Sequence, residues 1–443
     1  MIRDPAAECA APEDRARRQG ERLASLVDRL LDAGGLAGER LRAAGVAAGR
    51  DVAPSGLAGP SGLAGLSGLP TTSKADLWAA YPFGMLAVAR SEVVAVHGSS
   101  GTGGRPTLVA YTRADLELWA EVCARALAAA GAEPGSLVHN AYGYGLFTGG
   151  LGIHQGAIAL GATVLPMSGG MTARQVRMIA DLRPQILTCT PSYAVQLGEA
   201  IRAAGVDATS LRAGVFGAEP WSEALRRQIE ELLELRALDI YGLSEVIGPG
   251  VAAECLEQRG LHVNEDHFLV EAIDPESGAP VPDGTPGELV FTTVTKQALP
   301  LLRYRTGDIA SLDRAPCPCG RTLVRMSKVL GRRDDMLVIR GVNVYPSEVE
   351  AVLLADPRLG PNYQLVVDRR APGARLVVVC ELAPGVDAAA GLTADLGGAL
   401  RERLGLGAEV VARPAGGLPR PEGGKAVRVS NWDAGAPPLP GIE

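Results

Sequence analysis

Between residues 136 and 241 the chain keeps one rhythm, and that rhythm restricts its fold more than any other feature. Short apolar runs at 136–141, 162–166, 185–189, 211–216 and 236–241 alternate with helix-length segments at 149–160, 172–182, 192–204 and 222–234. A brief apolar run bounded by turn residues reads as a strand buried on both faces. Strands joined by helices run parallel, because the helix carries the chain back to the starting edge. Sheets of this kind receive ligands beyond the carboxyl ends of their strands. Two loops there carry a carboxylate among small residues: Gly217-Ala218-Glu219-Pro220 and Gly242-Leu243-Ser244-Glu245. Taken alone, both read as connecting turns.

Upstream, HGSSGTGGRPTLVAY (His97–Tyr111) sets Ser99, Ser100, Gly101, Thr102, Gly103, Gly104 and Arg105 between two β-branched stretches. Strand, glycine loop and strand make a hairpin tip with bare N–H groups and hydroxyls, which can wrap an anion such as a nucleotide polyphosphate. An ordinary flexible turn is the alternative. Thr112 and Asp115 then form a capping-box pattern ahead of Leu116, Trp119, Cys123 and Leu127 at helical spacing. Near the N-terminus, residues 14–33 place Leu23, Leu26, Val27, Leu30 and Leu31 on one helical face, stopped by Gly34–Gly35. Residues 55–72 are a six-residue near-repeat (SGLAGP, SGLAGL, SGLPTT) that reads as a flexible surface linker. From about 265 the pattern turns to strands and tight turns, an antiparallel or barrel-like unit ending in Arg303-Tyr304-Arg305-Thr306-Gly307-Asp308. The last hundred or so residues open with GRRDDMLVIRGVNVYP (331–346) and contain a helix at Ser347–Leu354 and strands at 363–367 and 376–381.

A chain of 443 residues is too long for one compact core, so two or three domains are expected. The net charge of −7 argues against nucleic acid or anionic membrane as a general partner. Neither a signal-peptide pattern nor an apolar run long enough to span a bilayer is present, and seven scattered cysteines fit a reduced, cytoplasmic setting. Four ligand-type residues stand out. Cys255 and His262 lie on one side of the strand-rich region, and Cys317 and Cys319 on the other in a Pro-Cys-Pro-Cys-Gly knuckle. Three sulfurs and an imidazole are a usual set for structural Zn²⁺; two unrelated buried thiols and a separate surface pair are the alternative.

The motifs, in this order, resemble those of the adenylate-forming superfamily of acyl-CoA synthetases and adenylation domains, and more narrowly the phenylacetate–CoA ligase family. The resemblance spans about 73–428. It rests on SKADLWAAYPFG, SSGTGGRPT, AYGYGLFTGGLG, GAEPW, DIYGLSEV, GLHVNEDHF, LRYRTGD, CPCGRT, GRRDDMLVIRGVNVYPSEVE and a late Gly424-Lys425. It implies an α/β fold: an N-terminal helical arm and linker (1–72), a large domain of parallel-rich sheets with flanking helices (73–333, barrel-like over 262–330), and a small mobile α+β domain (334–443). It also implies a reaction. ATP and a carboxylic acid give an acyl-adenylate and pyrophosphate, and the acyl group then passes to the thiol of CoA. A nitrite-activating diazotase for an aromatic amine, or transfer to a carrier protein, are the alternatives within the same fold.

By resemblance, Ser99 to Arg105 hold the β- and γ-phosphates. Gly217, Ala218, Glu219, Pro220, Asp239, Tyr241 and Gly242 line the adenine, with Tyr241 stacking on it. Ser244 and Glu245 meet Mg²⁺, as a carboxylate suits a hard cation. Asp308 accepts from the ribose, with Arg332 near. Lys425, which by itself would read as a solvated surface charge, bridges the attacking carboxylate and the α-phosphate, and Asp334 is the hinge. Tyr142, Tyr144, Phe147, Gly149 and Pro249 form the acyl pocket, whose aromatic walls suit an aryl or arylacetic acid; core packing is the alternative for the tyrosines. Relatives commonly read SSGTTGKPT where this chain has Gly103 and Arg105, a departure that points to a specialised, secondary-metabolic relative. A homodimer is the commonest default for such an enzyme.

Overall fold

The computed structural model describes residues 1–52, 66–99, 106–333, 337–340, 342–370, 374–387, 391–419, 428–439 and 442. The N-terminal arm holds α1 (Pro5–Glu8), α2 (Pro12–Ala33) and α3 (Gly35–Ala43), with Gly34 turning the corner at φ +69°. The five apolar residues expected on one face of α2 are all buried, and they pack with Leu269, Val294 and Leu302 of the strand-rich region. Most of the repeat lies outside the described residues. Its end departs from a solvated linker: Leu66 and Leu69 are buried in the same cluster, and the Arg303 guanidinium donates to the carbonyls of Ser67 and Leu69 at 2.7 and 2.8 Å. Apolar leucines between glycines found a core to enter. Next come α4 (Lys74–Ala79) and the hairpin β1 (Ala95–Ser99) and β2 (Thr107–Tyr111), antiparallel with Ser99 opposite Thr107.

The alternating region folds as its rhythm requires. α5 (Arg113–Ala129) is followed by β3 (Leu137–Asn140), α6 (Gly149–Leu160), β4 (Thr163–Pro166), α7 (Thr172–Leu182), β5 (Ile186–Cys189), α8 (Pro191–Ala204), β6 (Ala213–Gly217), α9 (Glu223–Leu233), β7 (Arg236–Leu243) and β8 (Gly248–Glu254). β3 to β7 are parallel, and β8 returns antiparallel to β7. Every residue of β5 and β6 is buried, as strands covered on both faces should be. One face packs Val138, Ile186, Val215 and Leu238 under α5 and α6; the other packs Leu187, Cys189, Phe216 and Ala237 under α7, α8 and α9.

The strand-rich stretch divides between two sheets. β10 (Phe268–Ile273), β11 (Gly287–Thr293), β12 (Tyr304–Ala310) and β15 (Gly331–Arg332) form a four-stranded antiparallel sheet. β9 (Leu261–Val263), β13 (Leu312–Asp313) and β14 (Arg325–Met326) instead extend the large sheet beyond β8, to nine strands among the described residues. The C-terminal unit has the hairpin β16 (Leu337–Ile339) and β17 (Val342–Val344), then α10 (Pro346–Leu353), β18 (Leu359–Asp368), β19 (Arg375–Leu382), α11 (Leu392–Leu404), β20 (Glu409–Arg413) and β21 (Val429–Trp432). Its sheet runs β20-β19-β18-β21 over a core of its own. The whole is an α/β fold with large sheets, flanking helices and a small C-terminal domain.

Candidate active site and a Cys/His cluster

The carboxyl ends of β6 and β7, the loop end of the β1–β2 hairpin, and β12 with β15 converge. At the end of β6, Gly217 lies against the Ile240 carbonyl, where a Cβ would collide, and Ala218 follows at φ +72°. A left-handed alanine is strained backbone, a cost usually tolerated where function demands the turn. The Glu219 carboxylate accepts from the Ser192 N–H at 2.7 Å, at the start of α8, and Pro220 is exposed. At the end of β7, Gly242 crosses close to the Gly248 carbonyl.

Tyr241 is buried, and its hydroxyl donates to Asp308 Oδ2 at 2.7 Å. Burial, then the neighbouring Asp308 charge, pushes the phenol far above its ordinary range. One side of its ring lies against Phe291, with centroids 5.9 Å apart. Asp308 Oδ1 accepts from Arg332 Nη1 at 3.1 Å, so β12 and β15, paired at these two residues, supply a carboxylate and its cation together. Burial raises the Asp239 carboxyl above its ordinary range, against the pull of Lys328.

Ser99 is the point of attachment between the hairpin and this cluster: its hydroxyl donates to Glu245 Oε1 at 3.0 Å. Lys74 Nζ stands 3.6 Å from the same oxygen, and the Ser244 and Thr148 hydroxyls are 3.1 Å apart beside it. Glu245 itself is buried, and its carbonyl accepts from Lys296 Nζ at 2.9 Å. Lys296 is wholly enclosed, and burial pulls its ammonium down to about 8 despite the nearby Asp115 and Glu245 charges.

Ser100, Gly101, Thr102, Gly103, Gly104, Arg105, Asp334 and Lys425 lie outside the described residues. The expected pocket residues differ in burial and partners. Tyr142 is buried in the core under α6, with its hydroxyl 3.4 Å from the Val215 carbonyl and its ring packed on Gly149. Tyr144 is half-buried and bonded to Asn140 and His154, whereas Phe147 is exposed. Pro249 uses its carbonyl to accept from the Trp119 indole at 3.1 Å. Lys74, Thr148, Ser192 and Lys296 had no assigned role in the sequence. Only Lys296 carried a local signal, as a single charge within the apolar stretch LVFTTVTKQALPLL.

The second cluster is separate. Cys255, His262, Cys317 and Cys319 bring their four ligand atoms within 4.8 Å of one another. The sulfurs of Cys255 and Cys317 are 3.8 Å apart, and Cys319 Sγ is 3.6 Å from His262 Nε2. Two sulfurs bound to one tetrahedral zinc stand about 3.8 Å apart, and a sulfur and an imidazole nitrogen about 3.6 Å. Burial raises the Cys255 thiol; the Cys319 thiol is held low by His262 and Arg321, against the effect of burial. The N-terminal arm seals the knuckle, with Arg321 Nε donating to Glu8 Oε2 at 2.6 Å and Arg321 Nη2 to the Met1 carbonyl at 2.7 Å.

Comparison with known proteins places this geometry. The family signature described as AMP-binding enzyme matches residues 85–295, and that of the AMP-binding enzyme C-terminal domain matches residues 341–432. The 2-hydroxyisobutyryl-CoA ligase, in its postadenylation state in complex with 2-HIB-AMP, superposes with a TM-score of 0.87 at 28% identity, over 97% of this chain and 92% of that one. The same ligase with 2-HIB-AMP and CoA in the thioesterification state gives 0.70, at 29% identity over 96% and 91%. The fold is that of an adenylate-forming ligase. Phenylacetate–coenzyme A ligase of Thermus thermophilus is 55% identical over 380 residues, 81% of this chain and 85% of that one. The Escherichia coli enzyme of that name is 49% identical over 372 residues, 81% and 84%. The chain belongs to the phenylacetate–CoA ligase family of AMP-binding enzymes, the ATP-dependent, AMP-forming acid–thiol ligases. No helix among the described residues is long and apolar enough to cross a membrane.

Proposed function

We propose that the chain activates an aryl or arylacetic acid with ATP, giving an acyl-adenylate and pyrophosphate, and then passes the acyl group to the thiol of CoA with release of AMP. The observation that carries this is the meeting of Ser99 with Glu245 and of Tyr241 with Asp308 and Arg332, four distant motifs at one set of strand ends. The phenylacetate–CoA ligases at 49–55% identity support the acid and the acceptor. Gly217 to Pro220, Asp239 and Gly242 line the adenine beside Tyr241, and Asp308 accepts from the ribose hydroxyls in addition to Tyr241 and Arg332, which orient it. Residues 99–105 take the outer phosphates. Glu245, with Ser244, offers the hard oxygen donors that suit Mg²⁺, which when bound offsets polyphosphate charge. Lys425 stabilises the charge that develops between the acid and the α-phosphate. Tyr144 and Phe147 face the acyl group, and Tyr142 and Gly149 back that wall from the core.

The Cys255, His262, Cys317 and Cys319 set is a structural zinc site, supported by spacings that match tetrahedral coordination. Its ligands are filled by the protein, so it takes no part in the reaction. Metal analysis should find about one zinc per chain, and a metal-free, fully folded protein would remove the site.

Pyrophosphate release with a panel of aryl acids tests the activity. Release that depends on phenylacetate or a close analogue, with AMP and a thioester formed on adding CoA, is the expected result. Release only with nitrite, accompanied by conversion of an aryl amine, would replace the acid reading with the diazotase one.

A further inference from the structure

The small domain touches the large one through a buried carboxylate. Glu350, on α10, is 3% exposed and spans the boundary. Its Oε1 accepts from the Ser222 N–H at 2.9 Å, and its Oε2 accepts from the Tyr363 hydroxyl at 3.1 Å. Ser222 is the N-cap of α9, so the carboxylate sits at the positive end of that helix and satisfies an N–H with no partner inside it. Leu354, one turn further along, packs, as Leu232 does, against the large-domain cluster that holds Leu233. Lys328, on the large-domain side, lies 3.5 Å over the Trp221 ring, and the Ser347 hydroxyl donates to the Leu330 carbonyl. Trp221 and Ser222 directly follow the Gly217–Pro220 loop. The contact is therefore one residue removed from a segment that lines the nucleotide. The arrangement it holds superposes at 0.87 on a ligase in the postadenylation state and at 0.70 on the same ligase in the thioesterification state.

We propose that Glu350 is a positioning residue: by capping α9 from the small domain, it latches that domain in the adenylating arrangement and must let go before the thiol step. The proposal rests on the two-step reading of the reaction given above. A buried carboxylate is held only while its hydrogen bonds last, because an unpaired one is costly out of water. Rotation would return both Glu350 and the Ser222 N–H to solvent, where water satisfies them, so the latch can open without leaving an orphan. Its bond to the Ser222 N–H matters only while the domains are docked, whereas its bond to Tyr363 lies inside the small domain and persists in either arrangement. The bond to Ser222 thus has the property of a switch element rather than of a core contact.

The test compares full-length wild type, Glu350→Ala, Glu350→Gln and, for amide exchange, Tyr363→Phe. Phenylacetate-dependent ATP–pyrophosphate exchange reports the first step, and thioester formation from synthetic phenylacetyl-adenylate and CoA reports the second. Losing one charge-assisted hydrogen bond should lower exchange by about fivefold to tenfold in Glu350→Ala, and leave the second step within about twofold of wild type. Glu350→Gln, which keeps a carbonyl for the Ser222 N–H, should recover most of the exchange. Without any substrate, amide hydrogen exchange over 222–225 at the start of α9 should quicken in Glu350→Ala and stay as in wild type in Tyr363→Phe, which removes only the bond inside the small domain, while that of α5 and α6 stays as in wild type in both. Equal loss in both steps, or unchanged kinetics and unchanged amide exchange, overturns the latch. If wild type shows no phenylacetate-dependent exchange, the substrate reading fails; the amide-exchange comparison still decides the latch.

Discussion

The strand-end cluster and the Cys/His cluster are built from the same kind of raw material and are finished differently. Each gathers titratable side chains from segments scattered along the chain. Around Glu245 and Asp308 the protein supplies a hydroxyl, a phenol and cations (Ser99, Tyr241, Lys74, Arg332). Around Cys255 and His262 the remaining two positions are filled by Cys317 and Cys319, and the arm with Glu8 covers the knuckle. At the strand ends the polar groups pair in a chain, Tyr241 and Arg332 on Asp308 and Ser99 and Lys74 on Glu245. At the Cys/His cluster four ligand atoms instead face one another.

The sharpest way to break this contrast is Lys425→Ala. Loss of a donor that acts on transition-state charge should cut acyl-adenylate formation by about 10²–10³-fold, measured by pyrophosphate release, while zinc content stays the same. Adenylation at the wild-type rate would remove Lys425 from the reaction. Next, Asp308→Asn takes away a charged acceptor at the ribose and should weaken ATP by about tenfold in KM; an unaltered KM would mean that Asp308 serves only Tyr241 and Arg332.

Cys317→Ser probes the other side. The variant should lose its metal and about 5 °C of melting midpoint with little change in KM for ATP. A simultaneous collapse of ATP binding would show that the two clusters are not independent. The smallest effect concerns Lys296, whose ammonium is held near 8 in the folded chain against an ordinary 10.5. A lysine with a depressed folded value binds its proton less well than the unfolded chain does, so its contribution to stability rises as pH climbs from about 8 to 10.5. The difference between wild type and Lys296→Met in denaturant titrations should therefore shift in favour of wild type across that window. A constant difference would mean that Lys296 is not desolvated.

Much of this was legible in the sequence because it is local. Helices at 149–160 and 172–182 have the extents their apolar spacing predicts, and the Thr112–Asp115 box caps α5 as read. Periodicity and capping involve neighbours within a turn or two, and the chain itself displays them. The order of motifs, by resemblance, was enough to name the family.

Other properties depended on which segments end up side by side. Short strands carry little signal of their own, so β9, β13 and β14 could not be assigned to the large sheet until their partners were known. Tyr142, Tyr144 and Phe147 look alike within six positions, yet one faces the core, one is half-buried and one faces solvent. Leu66 and Leu69 lie in a stretch with the composition of a linker and are buried because α2 and α3 offer them an apolar surface. The sequence determined the strand–helix order, the family and the chemical types available at each site. Only the tertiary structure decided that Ser99 meets Glu245, that Cys319 meets His262, and that Glu350 reaches Ser222, because each pairing joins residues 57 to 146 positions apart. At that separation, packing of whole elements decides the contact, and local preference has no say.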